Sequence, residues 1–326
     1  MMASNTSREQ WGSKIGFILA AAGSAIGLGN IWKFPYVAGQ NGGSAFILIY
    51  LLCTAVIGLP VLIGEILIGR STQKNPVGAF KALTGSRFWS SIGGMGILAG
   101  FIILSYYAVV AGWALGYVYQ AISGSFYEFA EPASAGHYFN DLISDPVWIV
   151  GYFAVFMGLT MLVVFSGVQN GIEKGSKIMM PILFLLLIIL VLRGVTLDGA
   201  YEGIKYLLHP DWSHVSTQTF LIALGQAFFT LSMGMGAMLT YGSYMSKKDS
   251  VPMSALSIVV LDTSIALMAG LAIFTGVFAT GLAPDAGPGL IFHTLPVVFT
   301  KMPGGYLFSI IFFVLLSIAA LTSTIS

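Results

Sequence analysis

The stretch AGSAIGLGNIWKFP, Ala22 to Pro35, decides how this chain is read. It lies in the first strongly apolar segment, where a membrane-crossing helix is expected, yet Gly23, Ser24, Gly27, Gly29 and Asn30 fall at its middle. Each glycine costs about 1 kcal/mol relative to alanine inside a helix, so the helix is weakened there. Backbone without helical partners at membrane depth survives only where it is buried in protein or lines a cavity. The break therefore points to a ligand site rather than to a plain anchor.

Composition sets the class around it. The 326 residues are 56% hydrophobic and only 8% charged, with a mean hydropathy of +0.87. A soluble domain would be about 25% charged. The 40 glycines have no collagen-like period and suit close helix packing and broken helices in a bilayer. A net charge of +1 gives no footprint for nucleic acid. The one cysteine, Cys53, sits in an apolar run and reads as a packing residue. His209 and His214 share a loop without a third ligand and read as surface residues. No Ser, His and acid arrangement, phosphate loop or metal cluster appears in the apolar segments, so the chain does not read as an enzyme. The first segment carries the polar break and no small-residue cleavage site, so it reads as a span rather than a removable leader.

Runs long enough to cross about 30 Å of hydrocarbon fall near residues 13–39, 43–69, 90–122, 147–166, 176–195, 217–244, 252–280 and 304–326. About eight spans with short connections predict one all-α polytopic membrane domain over 1–326. If spans alternate, Arg8, Lys14, Arg70, Lys74, Lys81, Arg87, Lys174, Lys177, Lys247 and Lys248 fall on one side. Lys33, Arg193, Lys205 and Lys301 fall on the other. That bias puts the N-terminus in the cytoplasm, and the expected location is the cell (inner or cytoplasmic) membrane. The acidic loop 123–145 would face outward, and 198–214 and 282–301 would be partly structured outer loops.

The sixth span repeats the peculiarity of the first. In GQAFFTLSMGMGAMLTYGSY (225–244), Ser232, Gly234 and Gly236 interrupt an apolar run. Two broken segments five spans apart predict two repeats of opposite orientation, about 13–195 and an incomplete 217–326, an architecture of secondary transporters. Small residues that merely let helices pack closely are the plainer alternative.

The motifs carry a resemblance. GSAIGLGNIWKFP (23–35), NGGSAF (41–46), GEILIGR (64–70), SYYAVVAGWALGY (105–117), GIEKGSKIMMP (171–181), GQAFFTLSMGMGA (225–237) and LTSTIS (321–326) resemble, in order, the neurotransmitter:sodium symporter family, particularly its bacterial amino-acid transporters. The resemblance implies an inverted-repeat transporter fold with broken helices 1 and 6, moving a spans-1-and-6 bundle against a scaffold including spans 3 and 8. It implies two sodium sites. The first would use the Ala25 carbonyl, the Asn30 amide oxygen, Thr230, Asp262 and the substrate carboxylate. The second would use the carbonyls of Gly23, Ile26 and Ala319 and the hydroxyls of Thr322 and Ser323. These are hard oxygen donors, as sodium requires. Hydroxyls that only bond back to their own helix are the plainer reading of Thr322 and Ser323.

Asp262 places a carboxylate in an apolar span, where a charge needs a partner. Chloride-requiring relatives resemble one another in carrying Asn there, and Ser where this chain has Ala266. The resemblance thus implies chloride-independent transport and a mild pH dependence. A structural Asp bonded to nearby backbone is the alternative. Glu65 would brace the broken sixth helix. Monoamine relatives carry Asp at the position of Gly27, so here the substrate would bring its own carboxylate to Leu28, Gly29 and Tyr107. Its ammonium would meet carbonyls at Ala25, Phe229, Thr230 and Ser232. Its side chain would lie among Ile103, Phe229, Ser232, Met235 and Ser323, which suits a hydrophobic or aromatic amino acid. Trp11, Arg8 and Tyr244 would close the cytoplasmic side, and Lys33 would replace the usual Arg of the outer gate.

The chain stops at Ser326, inside the eighth span, where the family continues, so it reads as a C-terminally truncated member. Sodium-coupled amino-acid symport across the lipid bilayer is the expected function. A non-transporting fragment or amino-acid-sensing remnant is the alternative, and a homo-oligomer stays open.

Overall fold

The computed structural model describes residues 9–129, 131–282 and 289–326, and these form helices and turns with no strand among them. Helix α1, Lys14–Ala25, begins where Ser13 Oγ accepts a bond from Gly16 N at 3.0 Å. It ends where Ile26 turns extended, with φ −77° and ψ 104°. Helix α2, Gly29–Gln40, resumes with a wide π-helical turn and lies at 50° to α1. Wide turns of this kind collect at functional sites.

Helix α3, Ser44–Thr72, leads to a short α4, Pro76–Thr84, capped by Asn75. The long α5, Arg87–Ser123, is followed by α6, Pro132–Ser144, and α7, Pro146–Phe165. Then come α8, Val168–Val195, and α9, Ala200–Leu208. Helices α10, Thr217–Thr230, and α11, Ala237–Gly242, flank residues 231–236. The chain continues through α12, Val251–Ala279, α13, Leu290–Lys301, and α14, Gly305–Thr324.

Six of these, α3, α5, α7, α8, α12 and α14, are long and apolar enough to cross a membrane. The bent pair α1/α2 makes a seventh. The expected crossing at 217–244 is instead two short helices of 14 and 6 residues, neither sufficient alone. By length alone seven spans are found among the described residues, and 217–244 stands beside them as a second broken segment whose break, 231–236, is longer than the first.

Burial is inverted relative to a water-soluble protein. Phe101 and Phe165 are 71% and 86% exposed, whereas Asn30 and Asp262 are fully buried. An apolar exterior suits lipid, and polar groups inside must find partners. The broken first helix runs through the centre, with α1 packed against α8, α12 and α14. Helix α3 packs against both halves of the second broken helix, and α5 lies along α14.

The loops at the α2 and α9 end hold more helix than their composition suggests. Segment 123–145 contains α6, started by Glu131 and Ser134 acting as reciprocal caps. The loops at 198–214 and 282–301 contain α9 and α13, with 283–288 outside the described residues. Phe139 of α6 stacks on Phe292 of α13 at 5.1 Å, 11° from parallel.

Candidate substrate and cation site

The two breaks meet at the centre of the bundle. Ile26 N still donates to Ala22 O, but the next two residues donate to new partners: Gly27 N to Asn30 Oδ1 at 3.0 Å, and Leu28 N to the Tyr107 hydroxyl at 2.8 Å. In the second break Ser232, Gly234 and Gly236 have φ of 52°, 81° and 79°. Only glycine takes this left-handed region freely, and Ser232 pays about 1–2 kcal/mol for it. Its hydroxyl donates to Ser24 O at 3.1 Å, which ties one break to the other. Glu65 Oε1, from α3, accepts Gly234 N at 2.7 Å. The carboxylate thereby satisfies backbone that a continuous helix would have paired.

Behind the first break lies a buried polar cluster. Asp262 Oδ1 accepts Asn30 Nδ2 at 2.8 Å and Thr230 Oγ1 at 3.0 Å. Asn30 Nδ2 also reaches Asp262 O at 3.1 Å. Because a carboxylate only accepts, the asparagine turns its NH2 toward it, and the amide oxygen faces Gly27 N with one lone pair left. Asp262 Oδ2 is buried without a hydrogen-bond partner among the described residues, although the Tyr50 hydroxyl lies beside it. An unpaired buried carboxylate oxygen is costly, and a cation supplies what it lacks. The donor set thus fits a hard cation.

A second set of oxygens forms where α14 crosses the break. Thr322 Oγ1 lies 3.2 Å from Ile26 O and 2.9 Å from Ala319 O. Ser323 Oγ lies 3.3 Å from Ile26 O and 3.2 Å from Ser24 O. Gly23 comes so close that a Cβ on it would stand 3.3 Å from Thr322 Cβ. Both hydroxyls bond across to the first helix, and that of Thr322 also bonds back along its own.

Between the two sets opens a cavity of about 340 Å³. It is lined by Ala25, Gly27 and Gly29 of the first break, Ile103 and Tyr107 of α5, Phe229, Ser232 and Met235 around the second break, and Ser323 of α14. Leu28 contributes its N–H to Tyr107 from just behind, and Thr230 faces Asp262 instead. Toward one end the cavity continues past Ile97 and Phe101 to Pro76, Thr240 and Ser326. A Cβ at Gly27 would strike both the Tyr107 hydroxyl and Ser323 Oγ, so a side chain there would have to displace them.

The ends of the broken helices are held differently. Trp11 donates its indole N–H to Tyr241 O at 3.0 Å and its backbone N–H to Tyr244 O at 3.1 Å. Its ring meets Tyr244 edge-on at 6.2 Å. Arg8 lies outside the described residues. At the other end Lys33 Nζ sits 4.1 Å from the centre of the Phe229 ring, a cation over the aromatic wall of the cavity. No carboxylate lies within ion-pair distance of Lys33 among the described residues.

Two participants escape the sequence reading. Gln226 Nε2 donates to Gly29 O at 2.9 Å, and the residue is 1% exposed. Its signal was an amide side chain at membrane depth, as expensive there as Asn30. Tyr50 gives no such signal, because a tyrosine in an apolar run reads as packing.

Residues 8–131 and 137–326 match the sodium:neurotransmitter symporter family. The sodium-dependent transporter YhdH of Bacillus subtilis is 51% identical over 317 residues, covering 97% of this chain and 70% of that protein. A sodium-dependent transporter of Haemophilus influenzae is 38% identical over 336 residues, covering 100% of this chain and 73% of its own length. The sodium- and chloride-dependent taurine transporter of Canis lupus familiaris is 30% identical over 97% of this chain and 58% of itself. Among solved structures, the crystal structure of MhsT in complex with L-phenylalanine superposes with a TM-score of 0.90 at 48% identity, over 98% of this chain and 72% of that one.

Proposed function

Because this chain belongs to the sodium:neurotransmitter symporter family, a family of membrane transporters and not of enzymes, we propose that it carries a hydrophobic or aromatic amino acid with sodium as co-substrate. One observation carries the reading: the cavity lies between two clusters of oxygen donors built on the same broken helix. The lack of a side chain at Gly27 leaves the substrate to supply its own carboxylate, which the Tyr107 hydroxyl and the backbone near Leu28 and Gly29 receive. The apolar wall of Ile103, Phe229 and Met235 takes the side chain, and its volume suits residues from leucine to an aromatic. That the MhsT structure holds L-phenylalanine supports the same class.

In this reading one sodium sits among Ala25, Asn30, Thr230 and Asp262. The other sits among Gly23, Ile26, Ala319, Thr322 and Ser323. Both order the frayed backbone, and the first touches the substrate carboxylate, so each ligand strengthens the other's binding. Inward sodium flow, with the potential worth about 2.3 kcal/mol per charge per 100 mV, drives uptake. The two broken helices belong to inverted repeats and move as a bundle against the rest. Trp11 and Tyr244 close the cytoplasmic end, and Lys33 over Phe229 closes the outer one. The Asp262 carboxylate supplies the negative charge that chloride brings in relatives, so chloride is dispensable.

Binding of radiolabelled leucine, phenylalanine, tyrosine and tryptophan to purified protein tests this, in sodium or potassium and with or without chloride. Saturable binding at least tenfold tighter in sodium and indifferent to chloride is the expected result. Equal binding in both cations, or none in either, overturns it.

A further inference from the structure

The start of α8 receives the chain's N-terminal segment in a way that the gating residues above leave unexplained. Glu173 is 3% exposed. Its Oε2 accepts Gly12 N at 2.6 Å, and its Oε1 accepts Ser13 Oγ at 3.0 Å and Lys177 Nζ at 2.6 Å. Ser13 passes the connection on, since the same hydroxyl caps α1 through Gly16 N at 3.0 Å. Gly16 is itself pressed against the carboxylate, for a Cβ there would collide with it. Four residues away Gln169 Nε2 donates to Gln10 O at 2.6 Å. On the far side the Trp11 indole is bonded to Tyr241 O of α11. The end of α1 is thus clamped between α8 and α11, and a buried carboxylate forms the α8 jaw.

We propose that Glu173 is the latch that positions the N-terminal end of α1 against α8, so that this end of the cavity opens only when the Gly12 and Ser13 bonds break. The proposal rests on the reading above in which the broken helices move as a bundle against the rest. Removing one partner from a buried, multiply bonded carboxylate is expensive, because the charge is left without donors. Lys177, four residues along α8, donates to Glu173 Oε1 at 2.6 Å and makes no hydrogen bond or ion pair to α1 among the described residues. That division makes the latch separable from simple support of α8.

Amide hydrogen exchange on the purified full chain, in potassium and without amino acid, reads the latch directly. In Glu173→Gln, residues 9–17 are expected to exchange at least tenfold faster than in the wild type. Glu173→Asp, one methylene shorter, restores part of the protection. Lys177→Gln changes exchange in 9–17 by less than twofold while loosening 174–185. Unchanged exchange of 9–17 in Glu173→Gln overturns the proposal, as does a Lys177→Gln effect of equal size. Should Glu173→Gln not fold, Glu173→Asp carries the test with an expected threefold acceleration over the wild type, and no acceleration overturns it. Leucine binding in sodium, measured on the same wild-type sample, tests the transport reading separately: its failure leaves the exchange result standing.

Discussion

Asp262 carries the most chemistry of any single residue. One carboxylate oxygen is held at 2.8 Å by Asn30 and at 3.0 Å by Thr230, and the other lies beside the Tyr50 hydroxyl with no further partner among the described residues. A buried carboxylate beside a backbone break is what a cation site needs, and in the proposed reading it takes the place of an added anion. Asp262→Asn removes the charge and keeps the shape. Sodium-dependent amino-acid binding is then expected to weaken at least tenfold in a chloride-free medium and to recover several-fold on adding chloride. A variant that binds equally well with and without chloride contradicts the charge argument. Gly27 gives a second expectation at this scale. Gly27→Ala pushes a methyl into the Tyr107 hydroxyl and Ser323 Oγ, so amino-acid affinity should fall at least tenfold while size-exclusion behaviour is retained. Wild-type affinity in that variant would show that the cavity yields there. Both residues were legible in the sequence, because an acid or a glycine at membrane depth stands out from its apolar surroundings. The orientation of the Asn30 amide was not, since it depends on which group of a distant helix faces it.

At the scale of elements, a break in a membrane helix persists only if every freed backbone group finds a partner. Here the partners come from the other helices: Tyr107 of α5 takes Leu28 N, Gln226 of α10 serves Gly29 O, and Glu65 of α3 takes Gly234 N. The Glu65 bond has a charged acceptor, a class worth about 1.5–3 kcal/mol. Glu65→Ala should therefore lower the thermal midpoint by a few degrees and weaken sodium-dependent binding more than Ser91→Ala does, where the lost bond is an exposed local one. Parallel behaviour of the two variants would mean that the second break is held by its own backbone. Both breaks were readable from glycine and polar residues inside apolar runs. The short helices α4 and α6 were not, because nine or thirteen residues with a polar face look like loop when only long apolar runs are counted. The length of the second break also escaped, since it depends on the left-handed turns at Ser232, Gly234 and Gly236 and not on composition.

For the whole molecule, the open quantity is which end faces the cytoplasm. Ten of the fourteen Lys and Arg residues fall at the end that carries Trp11, Glu173 and α4, if the spans alternate. The positive-inside rule puts that end in the cytoplasm. The orientation matters because sodium is scarce in the cytoplasm: with that orientation, release would belong to the end closed by Trp11 and Tyr244, and the end under Lys33 would be the entrance. The molecule is convenient for the measurement: its one cysteine, Cys53, is buried, so introduced thiols report with little background. Tyr201 of α9 is 71% exposed at the expected outer end, and Lys81 of α4 is exposed at the other. In intact cells Tyr201→Cys should react with a membrane-impermeant maleimide, and Lys81→Cys only after permeabilisation. The opposite pattern would turn the molecule over and place the Lys33 end, with its cation over Phe229, on the release side. Labelling of both in intact cells would break the alternation of spans on which the charge argument depends.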